Sequence, residues 1–190
     1  MYNISMKTLQ EIFNPYSKRR RMAQGCDKGS LHSYLGVYEE LFSKYRDKDV
    51  VLLEMGVFSG HSLLIWDEYF NSLNKRIIGA DLTLERITPE VHKRKNIELI
   101  TQNIETINDK FLEGTMFDIA IDDASHKIEH QIMFIDAFIN RISDGGFVVI
   151  EDVKPYNVDK IIEKYPMFEL YDLRKDRPKR PDNILLIYKK

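Results

Sequence analysis

The sequence contains little cysteine, which excludes a fold stabilised by disulfides. Cys26 is the single cysteine among 190 residues, so no internal disulfide can form, and a reducing compartment is expected. No apolar run approaches the roughly 20 residues that a membrane-spanning helix needs. Residues 1–13 lack the apolar core of a signal peptide. We therefore expect a soluble, cytoplasmic protein without a membrane span.

The chain also lacks an excess of charge of one sign. It has 28 basic and 30 acidic residues, a net charge of -2 and a pI near 6.2, so we expect no nucleic-acid partner. Two basic runs occur, at Lys18–Arg21 and within residues 174–180, and a solvated surface is the first interpretation of both. Contact with a phosphate on a substrate is the alternative for the second run.

Apolar strand candidates alternate with amphipathic helices, which predicts a Rossmann-like α/β fold with a mostly parallel sheet and helices on both faces. The seven predicted strands are Val50–Leu53, Arg76–Ala80, Ile97–Thr101, Phe117–Ile121, Gly146–Ile150, Phe168–Leu173 and Asn183–Tyr188. The short segment before the last strand cannot hold a covering helix, so the last two strands should form an antiparallel hairpin. We expect one domain over residues 1–190, with helices of residues 1–45 capping a ligand cleft in a core of residues 46–190.

The first predicted strand runs directly into a glycine-punctuated turn. Gly56 and Gly60 follow Glu54 in this turn, and glycine allows the backbone to approach a ligand closely. A helix that begins near Ser62 directs free N–H groups to the same place. Dinucleotide-binding proteins carry a second glycine where this chain has Phe58, so the bulky residue favours a ligand without a pyrophosphate.

The second predicted strand is followed by Asp81, about 20 residues beyond the turn, which is the spacing of a carboxylate that binds ribose hydroxyls. The strand, turn, helix and acid resemble the first two motifs of class I S-adenosylmethionine-dependent methyltransferases. That resemblance implies that Glu54, Gly56, Gly60 and Ser62 lie around the methionine part of the cofactor. Gln102 and Asn103, after the third strand, are candidates for recognition of adenine. For the glycine motif, the alternatives are a structural turn or the binding of another nucleotide, and for Gln102 and Asn103 the alternative is a plain polar loop.

Acidic side chains follow the fourth and fifth predicted strands. Asp122 and Asp123 come at the end of FDIAIDD, and Glu151 and Asp152 at the end of GGFVVIED. The carboxyl ends of parallel strands meet at the ligand-binding edge of a sheet, and crowded carboxylates repel unless they share a cation. Oxygen ligands without thiolates favour Mg²⁺. We predict Asp123, Glu151 and Asp152 as metal ligands, and Asp122 near the amino group of the cofactor.

His126 comes three residues after Asp123, so one turn of loop would bring the two side chains to the same side. A neutral imidazole can accept the proton of a hydroxyl near pH 7, and a neighbouring cation can stabilise the resulting oxygen. The chain then needs mainly to align that oxygen with the methyl group and the sulfur of the donor. We predict His126 as the catalytic base.

Four sequence strings make the resemblance more specific, because they point to one group of methyltransferases: DKGSLHSYLGVY, LLEMGVFSGHSLLIW, IDDASH and VIED. Over most of residues 25–155 they look like the metal-dependent sugar O-methyltransferases that tailor macrolide antibiotics and their cephalosporin-hydroxylase-like relatives. The resemblance implies a magnesium-dependent O-methyltransferase that acts on a hydroxyl of a sugar or glycoconjugate. The matching metal ligands are Asp123, Glu151 and Asp152, and the matching base is His126.

The beginning of the first string, DKGSLHSY at residues 27–34, has two interpretations. It is a helix start with Ser30 as the cap and Tyr34 packed beneath it. Alternatively, the resemblance implies that the segment folds over the cofactor, with Lys28 or His32 near the cofactor carboxylate and Tyr34 near the substrate.

Two other functions stay open. One is an NAD-dependent oxidoreductase, against which Phe58 counts, and the other is a non-catalytic subunit that binds S-adenosylmethionine, against which His126 and the acids count. A small-molecule or glycan acceptor is the expected partner, and a homo-oligomer is compatible with the sequence. Ala124 stands where the enzymes of the resemblance usually have glycine, which should alter only the local turn.

Overall fold

The computed structural model describes residues 6–17 and 25–190. Within this part of the chain, seven strands form one sheet in the order β3-β2-β1-β4-β5-β7-β6. The strands are β1 (Val51–Met55), β2 (Arg76–Asp81), β3 (Ile97–Thr101), β4 (Phe117–Asp122), β5 (Ile142–Ile150), β6 (Glu169–Asp172) and β7 (Ile184–Lys189). Strands β1 to β5 pair in parallel, and β7 is antiparallel to both β5 and β6. The predicted α/β sheet with an antiparallel C-terminal hairpin is confirmed.

Strand β5 differs most from its prediction, since it begins at Ile142 rather than at Gly146. Its pairing with β4 shifts register between Phe117 and Ile119. A side chain at Gly146 would place its Cβ 2.7 Å from the carbonyl oxygen of Asp118. The glycine therefore marks a close backbone approach inside the strand rather than the start of the strand.

Helices cover both faces of the sheet. The α-helices are α1 (Leu9–Phe13), α2 (Leu35–Phe42), α3 (His61–Tyr69), α4 (Ile128–Phe138) and α5 (Pro155–Lys164). Helices α1, α2 and α3 share one apolar cluster with Leu52 of β1, whereas α4 and α5 share the other with Leu53. The alternation of side chains along a strand separates the two clusters. None of the helices in the described ranges has the length and apolar character that crossing a membrane requires.

The N-terminal region is part of the core as well as a neighbour of the site. Phe13, Tyr38 and Phe42 are buried in the same cluster as β1, and residues 25–34, just before α2, reach the carboxyl edge of the sheet, where Lys28 contacts Asp123. The cap predicted for residues 1–45 stays a prediction. The basic run Lys18–Arg21 lies outside the described residues.

Candidate active site

The register of the central strands brings the predicted acids to one edge of the sheet. Met55 pairs with Asp122, and Asp122 pairs with Ile150. The N–H of Asp123 donates to the carbonyl of Met55 at 2.8 Å, and the N–H of Glu151 donates to the carbonyl of Asp122 at 3.0 Å. Asp123 and Glu151 therefore leave neighbouring strands side by side, as the sequence predicts.

The glycine turn passes very close to this edge. Gly56 has a φ of +90°, and a Cβ there would lie 2.2 Å from the carbonyl oxygen of Asp123, so only glycine fits. Gly60 has a φ of +76°. Phe58 is also left-handed, with a φ of 49°, and its N–H donates to Oδ2 of Asp81 at 2.8 Å. The turn thus holds the predicted ribose carboxylate in place.

Two adjoining cavities open on this turn. The His126 cavity, of about 230 Å³, is lined in part by Lys28, Ser62, Asp123, His126 and Asp152. The Asp81 cavity, of about 420 Å³, is lined in part by Asp81, Gln102, Asn103 and Ser125. Both include Gly56 and Phe58 in their walls, so they are two parts of one cleft. Its position at the carboxyl ends of parallel strands is where α/β sheets bind ligands.

Three side chains, which we call the cation group, converge at the His126 cavity. Asp123, His126 and Asp152 each place one ligand atom within 4.8 Å of the other two. The distance from Nε2 of His126 to Oδ2 of Asp152 is 3.7 Å. His126 has a φ of 57° and Asp152 a φ of 53°, a conformation that residues other than glycine rarely adopt. The chain therefore turns sharply after β4 and after β5, and both turns bring side chains to the cavity.

The electrostatics of the cation group suit a divalent ion. Burial raises the pKa of Asp123 to about 7 and that of Asp152 to about 6, because desolvation disfavours a carboxylate. Burial lowers the pKa of His126 below 6.5, so its imidazole is neutral at pH 7. The two carboxylates are donors that a divalent cation accepts, and its charge would relieve their desolvation, while the neutral imidazole beside them keeps its lone pair for a proton.

Lys28 contacts three carboxylates, one of which belongs to Asp123 of the cation group. Its Nζ donates to Oδ2 of Asp123 at 2.7 Å and to Oε1 of Glu151 at 2.6 Å, and it lies 3.1 Å from Oε1 of Glu54. Only 2% of the lysine is exposed. Burial alone would lower the pKa of Lys28, but the three carboxylates outweigh it and hold that pKa well above the usual value. Lys28 is thus an internal counter-ion.

Glu151 therefore has different surroundings from Asp123 and Asp152. Its Oε1 accepts hydrogen bonds from Lys28 and, at 2.5 Å, from the hydroxyl of Tyr38, and it is 2% exposed. Burial raises its pKa well above the usual value. Among the described residues, Glu151 does not join the cation group, and its role as a metal ligand stays a prediction.

Tyr34 and His32 lie behind Asp152 rather than in the wall of either cavity. The hydroxyl of Tyr34 is 2.5 Å from Oδ1 of Asp152, and Nδ1 of His32 is 3.2 Å from the same oxygen. The two rings stack at 4.9 Å, and both residues are buried. The structure thus places them as supports of Asp152, and their predicted contacts with substrate and cofactor stay predictions.

Glu54 and Asp122 are also buried away from the cleft. Oε2 of Glu54 accepts from the indole N–H of Trp66 at 2.8 Å, and Oδ1 of Asp122 accepts from the N–H of Ala124 at 3.3 Å. Burial raises the pKa of Asp122 to about 7. Their predicted contacts with the cofactor likewise stay predictions.

Sequence reasoning missed three features of the site. Tyr38 fits the apolar helical pattern of α2, and nothing in that pattern indicates that its hydroxyl meets Glu151. Cys26 has no predicted role in the site, yet it lines the His126 cavity, and burial raises the pKa of its thiol. The sequence pattern uses Phe58 only as evidence against a pyrophosphate, whereas its backbone N–H also donates a hydrogen bond to Asp81.

Comparison with known proteins agrees with this geometry. Residues 53–153 match the model of a methyltransferase domain family. The chain is 30% identical over 141 residues to the 8-demethyl-8-alpha-L-rhamnosyl tetracenomycin-C 2'-O-methyltransferase of Streptomyces olivaceus, covering 70% of this chain and 36% of that protein. It is 30% identical over 138 residues to the demethylmacrocin O-methyltransferase of Streptomyces fradiae, covering 66% and 33%. The chain spans about a third of the length of these curated relatives.

A solved structure extends the likeness over almost the whole chain. MycE methyltransferase from the mycinamycin biosynthetic pathway, in complex with Mg, SAH and mycinamycin VI, superposes with a TM-score of 0.71 at 22% identity. The match covers 97% of this chain and 55% of MycE, and at this identity it shows the fold. With the family match, the sheet order and the glycine turn beside Asp81, the chain belongs to the methyltransferase domain family, within the class I S-adenosylmethionine-dependent methyltransferases.

Proposed function

We propose that this chain transfers a methyl group from S-adenosylmethionine to a hydroxyl of a sugar or glycoconjugate, assisted by Mg²⁺. The observation that carries the proposal is the convergence of Asp123, His126 and Asp152 at a cleft that opens on Gly56. The named activities of the relatives, which are O-methyltransferases of glycosylated natural products, support the acceptor class.

The two cavities of the cleft bind different parts of the cofactor. S-adenosylmethionine supplies, when bound, a methyl group on a positively charged sulfur. In the Asp81 cavity, Asp81 is the ligand for the ribose hydroxyls, and Gln102 and Asn103 are the ligands for adenine. Gly56 and the N-terminus of α3 at Ser62 face the methionine part, since both line the His126 cavity.

The cation group acts on the acceptor hydroxyl. Asp123 and Asp152 would hold a divalent ion, whose positive charge would stabilise a deprotonated oxygen. His126 accepts the hydroxyl proton, since burial keeps its imidazole neutral at pH 7. As the oxygen bonds to the methyl carbon, the carbon–sulfur bond breaks, so charge is conserved and the proton stays on His126. Tyr34 orients Asp152 from behind by donating its hydroxyl to Oδ1.

Mass spectrometry of glycosides incubated with S-adenosylmethionine and Mg²⁺ tests the proposal. We expect one added methyl group with the wild type, and a loss of about 100-fold or more in kcat with His126→Ala, the size typical of a lost general base. Calorimetry should show that His126→Ala still binds the cofactor. Cofactor binding by the wild type without product from a broad acceptor panel would instead support a non-catalytic binding subunit.

The oxidoreductase alternative is tested by thermal shift. The wild type should melt at a higher temperature with S-adenosylmethionine and be unchanged by NAD, because only a ligand of the native state stabilises it. Stabilisation by NAD alone would overturn the assignment of the cofactor.

A further inference from the structure

The loop that joins β6 to β7 lies against the candidate site. We call residues 174–180, with the sequence RKDRPKR, the basic loop; it has five basic residues and one acid. Nη2 of Arg177 donates to the carbonyl of Gly29 at 3.3 Å. Just after the loop, the buried Asn183 donates to the hydroxyl of Ser33 at 2.8 Å and accepts from the N–H of Ser33 at 3.1 Å. These contacts fix the loop to the segment that carries Lys28 and Tyr34.

The segment that directly follows the basic loop is one side chain away from the cation group. The hydroxyl of Tyr34 lies 2.5 Å from Oδ1 of Asp152 and 3.1 Å from the carbonyl oxygen of Asp182. Nδ1 of His32, whose ring stacks on that of Tyr34, lies 3.2 Å from the same oxygen of Asp152.

Most of the positive charge of the basic loop has no protein partner. Two of the neighbouring acids pair with other cations: Asp172 with Arg174 at 2.6 Å and Asp182 with Lys154 at 2.7 Å. No ion pair within 4.0 Å joins Lys175, Lys179 or Arg180 to the described residues. In a chain whose net charge is -2, this leaves a concentrated positive surface next to the segment whose residues Asp27 and Lys28 line the His126 cavity.

A buried polar atom at the same junction also has no partner. Nε of Arg177 is buried and makes no hydrogen bond within the described ranges, although buried N–H groups are nearly always paired in native proteins. Guanidinium groups bind phosphate oxygens through two parallel N–H donors. The junction thus offers unpaired positive charge for a phosphate, beside a buried guanidinium whose Nε–H lacks a partner within the described ranges.

We propose that the acceptor carries a phosphate group, which the basic loop binds while the reacting hydroxyl lies at the cation group. This inference rests on the proposed function, because it names the acceptor class of the same site. Two sources share this chemistry: a sugar phosphate and a nucleoside diphosphate sugar. A neutral glycoside lacks the group that the basic loop would bind.

Calorimetry without cofactor or divalent cation tests the proposal at low ionic strength. The probes are inorganic pyrophosphate, glucose 1-phosphate, UDP-glucose and neutral methyl glucoside. We expect the wild type to bind pyrophosphate and at least one phosphorylated sugar, and more weakly as salt is added. UDP-glucose binding more tightly than glucose 1-phosphate would indicate a nucleoside diphosphate sugar, and the reverse would indicate a sugar phosphate.

The loop variant Lys175→Ala, Lys179→Ala and Arg180→Ala should weaken pyrophosphate binding by about tenfold or more, since each charge-assisted contact contributes a sizeable part of the affinity. The control Lys95→Ala, Lys110→Ala and Lys160→Ala removes the same net charge from exposed positions outside the loop and should leave binding within about twofold. Equal losses in both variants, or no pyrophosphate binding by the wild type, would overturn the inference.

Binding of S-adenosylmethionine, measured on the same samples, keeps the two proposals apart. We expect the loop variant to retain wild-type cofactor affinity, because no residue of the basic loop lines either cavity among the described residues. A wild type that binds pyrophosphate but not S-adenosylmethionine would contradict the proposed function and leave the phosphate site standing. The opposite pattern would contradict only the phosphate site.

Discussion

Lys28 shows how one side chain connects separate parts of the site. It comes from the segment before α2, yet its ammonium contacts carboxylates that follow β4 and β5 and one within β1. Burying several carboxylates without a counter-ion is costly. The lysine therefore allows the acids to be crowded before any divalent ion binds.

Replacing Lys28 with methionine should destabilise the protein strongly. The change keeps the aliphatic stem but leaves Asp123, Glu151 and Glu54 without their buried cation, so we expect a loss of about 3–5 kcal/mol in the free energy of unfolding. Urea titration followed by circular dichroism measures it. The control Lys160→Met, at an exposed position, should change stability by less than about 0.5 kcal/mol. Equal stability of the two variants would show that Lys28 is not an essential counter-ion.

Asp122 gives a prediction with a definite pH window. Burial raises its folded pKa from 3.8 to about 7, so the folded state holds the proton more tightly than the unfolded state. The stability that this provides is complete below about pH 4 and is lost as the pH rises through 7.

The side chain of Asp122→Asn cannot ionise, so the variant does not lose stability at this position as the pH rises. Its amide oxygen can still accept the hydrogen bond from the N–H of Ala124. Relative to the wild type, without Mg²⁺, the variant should gain up to about 4 kcal/mol of stability between pH 4 and pH 8. Urea titrations at several pH values measure the difference. The exposed Asp159→Asn should show no such trend, and a flat difference for Asp122→Asn would contradict the assigned pKa.

At the scale of elements, the sequence predicted the sheet because each strand carries a local signal. The unbroken apolar runs, and the short segment that requires a closing hairpin, can be recognised from residues that are adjacent in the sequence. The predicted start of β5 was wrong. Gly146 indicated the beginning of the strand, but it lies inside β5 and leaves room for the backbone of β4. The contact of Lys28 with Glu151 joins residues 123 positions apart, and no local pattern specifies it.

The glycine turn makes an element-scale prediction with an internal control. In Gly56→Ala, the new Cβ would meet the carbonyl oxygen of Asp123 at 2.2 Å, so the turn must move away from β4. We expect binding of S-adenosylmethionine to be lost and the melting temperature to fall.

Gly36→Ala is the matched control, since Gly36 lies in α2 with no atom within 4 Å of the added Cβ. It should retain cofactor binding and gain up to about 1 kcal/mol of stability from helix propensity. Calorimetry and thermal melting compare the two variants. Unchanged cofactor affinity in Gly56→Ala would contradict the tight fit of the turn.

At the scale of the whole molecule, one sheet edge gathers residues from distant parts of the chain. Segment 25–34, the ends of β1, β4 and β5, and the loop before β7 all meet there. The parallel order of the strands explains why acids after β4 and β5 could be predicted as neighbours. The positions of Tyr34 and His32 behind Asp152 depend on how an irregular segment folds, which the sequence pattern does not determine.

Nuclear magnetic resonance of bound S-adenosylmethionine in the presence of Mn²⁺ most directly tests whether the strand exits hold a divalent ion beside the methyl donor. Paramagnetic Mn²⁺ in the cation group should broaden the S-methyl resonance of the cofactor strongly. The double variant Asp123→Asn and Asp152→Asn should bind the cofactor without that broadening. A wild-type complex whose methyl resonance stays sharp at saturating Mn²⁺ would contradict the proposed site.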